Sequence, residues 1–142
     1  MARYGVSSGS TALASRGAGV AFAALRAGAN ACTVYEMAVF HASTAASTVA
    51  VLRPANTPVA STSVVPVAET SGTPLGRLDT AWTTAPTAPA SLLRSIAIPA
   101  VIGNGYTFVF PDGVLVPANG SLVLWSLVAA SATTFIHVVY DE

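Results

Sequence analysis

The sequence contains no lysine, and only 8% of its 142 residues are charged, against about 25% in an ordinary soluble domain. All six basic residues are arginines, scattered along the chain. Because binding to a phosphate backbone needs a basic patch, this distribution argues against a nucleic-acid partner. With so few charges, either Ser, Thr and Ala cover the surface or other subunits bury much of it. The high apolar content, 53%, leads us to predict a homo-oligomer.

Cysteine and long apolar runs are also scarce. The single cysteine, Cys32, excludes an internal disulfide, and it has no neighbouring ligands with which to form a zinc site. The longest apolar run, residues 114–130, is interrupted by Pro117, Asn119 and Gly120. Since a membrane-spanning helix needs about 20 apolar residues, we expect no membrane insertion. The apolar content excludes disorder, and the length fits one domain.

No segment has a convincing helical period, whereas short runs of β-forming residues recur throughout the chain. Clear examples are residues 20–26, 32–41 and 121–128, in which side chains alternate between two faces. Turn signals between the runs are typical of β-sandwiches and barrels. The segments Pro111-Asp112-Gly113 and Asn119-Gly120 are the strongest of these signals. We therefore predict an all-β domain, a jelly-roll-like β-sandwich of about eight strands.

Two segments lack this alternation. Residues 1–18 are rich in Gly, Ser and Ala, which predicts an N-terminal arm in front of a sandwich domain at residues 19–142. Residues 71–90 contain several prolines and glycines, which predicts a long loop with Trp82 at its centre. A tryptophan in such a loop either anchors the loop to its own domain or is a hot spot for a partner.

The sequence offers little for catalysis. A nucleophilic serine needs an oriented base, and the candidates His41 and His137 each stand alone in a predicted strand. Glu36 lies in the middle of a strand on an otherwise apolar face, where we expect it to pair with an arginine of this or another subunit. We therefore expect a protein that is not an enzyme and that holds no metal and no cofactor.

Three stretches, residues 2–7, 110–125 and 135–142, together resemble small structural proteins encoded in the morphogenesis regions of tailed bacteriophages. The resemblance implies a virion protein that decorates a capsid, binding the major capsid protein or another virion protein across subunits and stabilising the shell. It also implies a trimer, because trimers suit the local three-fold positions of an icosahedral shell. It brings no catalytic residues.

Partner contacts are predicted on the arm and at the centre of the long loop. The predicted contact residues are Arg3, Val6, Leu13, Arg16 and Trp82. The alternative function is a glycan- or receptor-binding module displayed on a phage head or tail. In that case Trp82, Tyr106 and Asp112 would project together towards a sugar.

Overall fold

The structure is a computed structural model that describes residues 1–8, 13, 17–128 and 133–142, and these residues form eleven strands and no helix. The strands are β1 (Arg3–Ser7), β2 (Val20–Arg26), β3 (Cys32–His41), β4 (Ser47–Leu52), β5 (Val59–Val64), β6 (Val67–Ala68), β7 (Arg77–Thr84), β8 (Arg94–Ile98), β9 (Gly105–Val116), β10 (Ser121–Ser126) and β11 (Thr134–Asp141). They form two antiparallel sheets, ordered β6-β1-β11-β3-β9 and β5-β7-β2-β10-β4-β8. This arrangement confirms the all-β prediction and is consistent with a β-sandwich.

The strand pairs are nested. β1 pairs with β11, β2 with β10, β3 with β9 and β4 with β8, and every pair is antiparallel. The chain thus resembles one long hairpin, in which the segment from β1 to β4 pairs with the returning segment from β8 to β11. β5, β6 and β7 are inserted at its tip, and they extend the two sheets beside β2 and β1.

The main core lies between the sheets and draws apolar side chains from both. In β10, Leu122 and Leu124 point into this core, whereas Val123 and Trp125 point to the opposite face of the six-stranded sheet. There they form a second buried cluster with alanines and Leu52 of the neighbouring strands. Because this sheet is apolar on both faces, the sequences of strands such as β10 are almost continuously apolar.

The start of the predicted arm is a core strand. β1 lies between β6 and β11, with Tyr4 and Val6 only 3% and 4% exposed. Pattern reading missed this strand because its outward positions include Gly5 and Ser7, which carry no strong strand signal. Further along, Leu13 exchanges two backbone hydrogen bonds with Thr134, of 2.7 and 3.1 Å.

The predicted loop at residues 71–90 is also partly a strand. It contains β7, which pairs with β5 on one side and β2 on the other. The predicted turn Pro111-Asp112-Gly113 lies inside β9, where the chain bulges opposite Tyr35 and Gly113 adopts a φ of +71°. β7 forms despite the prolines and glycines around it, because it pairs on both sides. Residues 110–113, in contrast, have no partner in β3, and the positive φ of Gly113 fits the predicted turn signal.

An ion pair and a serine hydrogen bond join three strands on the face of the six-stranded sheet that points away from the main core. Asp79 of β7 is 1% exposed and accepts hydrogen bonds from Arg26 Nε at 2.8 Å and Nη2 at 3.2 Å. Ser63 Oγ of β5 donates to the same carboxylate at 2.5 Å. The Asp79 hydrogen bonds raise the pKa of Arg26. These contacts tie β5 and β7 to β2.

We expect Asp79→Ala to lower the free energy of unfolding by about 2 kcal/mol. This is less than the loss at a fully buried pair, because a third of the Arg26 side chain reaches solvent. Asp112→Ala, which removes an exposed carboxylate, is the control and should change stability by less than about 0.5 kcal/mol. Urea unfolding followed by tryptophan fluorescence measures both. Equal midpoints for the two variants would contradict the role of the ion pair.

We expect Val6→Asp to lower the free energy of unfolding by about 3 kcal/mol or more, because it places a charge in the main core. Val67→Asp in neighbouring β6 is the control, since Val67 is 74% exposed. The same urea titration measures both variants. If Val6→Asp were as stable as the control, residues 3–7 would behave as an arm and not as a core strand.

Candidate interaction surface

The face of the five-stranded sheet that points away from the main core, called here the outer face, exposes large apolar side chains. Phe135 of β11 lies directly opposite Phe40 of β3, and they are 37% and 39% exposed. Val109 and Leu115 of β9 are 47% and 60% exposed on the same face. Four such side chains on neighbouring strands form a candidate surface for a partner.

Acidic groups dominate the charge of the outer face. Arg3 Nε donates to Asp141 Oδ1 at 2.9 Å, and the guanidinium lies 5.0 Å from the centre of the Tyr35 ring. The hydrogen bond and the charge of Asp141 raise the pKa of Arg3. The side-chain carboxylates of Glu36 and Glu69 make no hydrogen bond or ion pair with any described residue. Because Arg3 and Asp141 neutralise each other, two carboxylates of this face have no basic partner within the part of the chain that the structure describes.

The free edge of this sheet, strand β9, is partly covered by arginines from the other sheet. Arg94 Nη1 donates to the carbonyl of Val109 at 2.8 Å, and Arg53 Nη2 donates to the carbonyl of Leu115 at 2.7 Å. Arg94 also lies 4.8 Å from the centre of the Phe110 ring. Occupied carbonyls and bulky charged side chains disfavour the addition of a strand at this edge. The outer face is therefore better suited than the β9 edge to a partner.

The predicted contact residues do not share one surface. Arg3 lies on the outer face, whereas Val6 is in the main core and Leu13 is half-buried against that core. Trp82 is half-buried on the second cluster, so it packs against its own chain. Arg16 lies outside the described residues. The packing of Trp82 favours the anchor interpretation over the hot-spot interpretation.

The residues of the predicted glycan site lie in different sheets. Trp82 belongs to β7, whereas Tyr106 and Asp112 belong to β9 of the five-stranded sheet. β9 contacts the six-stranded sheet at its edge strand β8. Within that sheet, β7 is four strand positions away from β8. Strands are about 4.8 Å apart, which makes this separation roughly 19 Å. The three side chains therefore do not form one sugar-binding site.

The two histidines have different surroundings. His41 is buried, with Nε2 2.7 Å from Ser47 Oγ, and its Nδ1 has no partner in the described part of the chain. A catalytic Ser–His pair needs a third group to orient the imidazole, and none lies at Nδ1 among these residues. His137 is half-buried on the outer face, directly opposite Ser7. Within the described ranges, no three potential metal ligands come together and no helix is long and apolar enough to cross a membrane.

Cys32 belongs to the main core and is 1% exposed. Burial, helped by the charge of Glu142, raises the pKa of its thiol to about 12. Since the thiolate is the reactive species, the native thiol is inert at neutral pH.

We expect the native protein to react with a disulfide reagent such as DTNB at pH 8 only over hours. The same protein in 6 M urea should release one equivalent of chromophore within minutes, because unfolding exposes the thiol. Absorbance at 412 nm measures both reactions. Rapid, stoichiometric labelling of the native protein would contradict the burial of Cys32.

Comparisons with protein-family models, with curated proteins and with solved structures find no match to this chain. The function is therefore argued from the surface itself. Sequence reasoning missed the outer face as a unit, although it placed Glu36 and Phe40 on one face of β3. The missing signal is strand register, which brings Phe135 opposite Phe40 from 95 positions further along the chain.

Proposed function

We propose that this chain is a non-enzymatic virion structural protein that decorates a capsid. In this proposal the outer face binds the major capsid protein or another virion protein and so stabilises the shell. The observation that carries the proposal is the exposure of four large apolar side chains on one sheet face, which also holds two carboxylates that no described residue pairs. The resemblance of three sequence stretches to tailed-phage structural proteins supports the choice of a virion partner.

We infer that the sandwich is a jelly roll with an inserted segment. A jelly roll is an eight-stranded antiparallel double sheet found in viral capsid proteins and lectins. The nested pairs β1–β11, β2–β10, β3–β9 and β4–β8 fit a four-strand arm folded back on another four-strand arm. β5, β6 and β7 then form an insertion at the tip of that hairpin. This topology supports a structural role shared with capsid proteins.

The outer face is large enough for a specific interface. Four neighbouring strands of about eight residues cover roughly 500 Å² in projection, and protruding side chains add to the accessible area. A standard interface buries about 800 Å² on each partner, so this face supplies most of it. Apolar anchors such as Phe40 and Phe135 would dominate the binding energy, since a few buried residues usually do.

The position of β1 moves the proposed attachment from the arm to the sheet. β1 lies between β6 and β11 in the sheet, and of the predicted contacts that the structure describes, only Arg3 is on the outer face. A contact role for the rest of the arm, residues 8–18, stays a prediction. The trimer also stays a prediction, and light scattering on the isolated protein would measure the number of chains.

Replacing Phe135 and Val109 together by serine should weaken binding to purified particles about tenfold or more, because both side chains lie on the outer face. The matched control is Val101→Ser with Ile102→Ser, which removes two side chains 53% and 63% exposed in the connection after β8. Co-sedimentation with particles at several protein concentrations measures the affinity. Unfolding midpoints establish that both variants are folded.

Equal affinity of the two double variants would contradict attachment through the outer face. Weaker binding by the control variant alone would place the contact at the β8–β9 connection. A protein that co-sediments with no particle at all would contradict the decoration role itself.

A further inference from the structure

A groove of about 420 Å³ lies at the other end of the five-stranded sheet from β9, where the connection between β5 and β6 passes beside β1. Valine residues line it together with Gly5 and Ser7 of β1. Glu69 and His137 supply its charged and titratable groups. The valines are Val6, Val64, Val65 and Val67.

The polar groups converge above Gly5. A Cβ atom at this position would lie 3.0 Å from Glu69 Oε1 and 3.7 Å from His137 Cε1. The carboxylate and the imidazole therefore approach the place that a side chain of residue 5 would fill. Ser7 stands directly opposite His137 in the strand register. Glycine at position 5 thus leaves the room in which Glu69 lies over the sheet.

No arginine of the described chain occupies this groove. Arg3 lies near enough for the charge of Glu69 to raise its pKa slightly, but its guanidinium is bonded to Asp141. The other described arginines are bonded to the Asp79 carboxylate or to backbone carbonyls; they are Arg26, Arg53, Arg77 and Arg94. The chain contains no lysine. Among the described residues, no basic side chain is bonded to Glu69, so its carboxylate is open to a cation from another molecule.

We propose that the groove binds a lysine or arginine side chain of the protein that covers the outer face. The ammonium or guanidinium group donates to the Glu69 carboxylate, and the His137 ring lies beside it. Lysine and arginine pack their aliphatic stems on apolar surface, and Val65 and Val67, 58% and 74% exposed, provide it. The identity of the partner as a virion protein rests on the proposed function, whereas the preference for a cationic side chain does not.

The direct test is an NMR titration of the isolated protein with N-acetyl-lysine methylamide and N-acetyl-arginine methylamide. Localised, concentration-dependent shifts of the Gly5, Ser7 and His137 amides are expected with low affinity, because one exposed ion pair contributes only about 1 kcal/mol or less. N-acetyl-norleucine methylamide, which has an aliphatic stem and no charge, should bind at least threefold more weakly. Equal binding of the norleucine compound, or no localised shifts, would overturn the proposal.

Two matched variants distinguish binding in the groove from nonspecific attraction to the acidic outer face. Glu69→Gln should weaken binding of the lysine and arginine compounds about threefold, whereas Glu36→Gln, on the same face outside the groove, should leave it unchanged. Equal losses in Glu36→Gln and Glu69→Gln would overturn the groove.

Particle co-sedimentation then tests whether the lysine or arginine side chain that enters the groove belongs to the particle protein. Glu69→Gln should bind particles more weakly than Glu36→Gln, and equal binding would overturn the assignment to the partner. The titration uses no particles, so its failure leaves the proposed function intact. Conversely, if the Phe135→Ser and Val109→Ser double variant bound particles as well as its control, the attachment proposal would be contradicted. Binding of the lysine compound in the groove would be unaffected by that result.

Discussion

The pairing of the first strand with the last is the constraint on which the other features depend. β1 and β11 are paired from Arg3 and Asp141 to Ser7 and His137, and next to them Ala2 and Glu142 exchange two backbone hydrogen bonds of 3.0 Å. The Glu142 carboxylate also accepts hydrogen bonds from the amides of residues 75 and 76, which fixes the chain just before β7. This closure builds the outer face and its groove, because β1 supplies Gly5 and β11 supplies His137.

The strand content was predictable wherever apolar and polar side chains alternate. The bounds of β2 and β3 agree with the prediction because neither strand contains a proline or an inward glycine. The sequence pattern did not reveal β1, because its outward positions include Gly5 and Ser7, which carry no strong strand signal. It did not reveal β7 because prolines flank that strand. A bulge at Tyr35 also places both Val34 and Met37 in the core, although strict alternation along a strand puts residues three positions apart on opposite faces.

The candidate surface was less predictable, because it depends on which strands are neighbours. The sequence shows Phe40, Glu69 and His137 as isolated residues in separate segments, and only the strand register brings each to its neighbours on the outer face. Trp82 is the opposite case: the sequence left open whether it anchors its own segment or contacts a partner, and it packs on the second cluster of its own six-stranded sheet. Single residues indicated interaction chemistry, but the pairing decides which of them share a surface.

Hydroxyl-radical footprinting of free and particle-bound protein tests the central claim, that the outer face is the attachment surface, most directly. Aromatic and aliphatic side chains are oxidised in proportion to their exposure, so a covered face loses reactivity. We expect Phe40, Phe135 and Leu115 to be protected on the particle, and Val101 and Ile102 to keep the reactivity that they have in the free protein. Unchanged oxidation of the two phenylalanines in bound protein would contradict the claim.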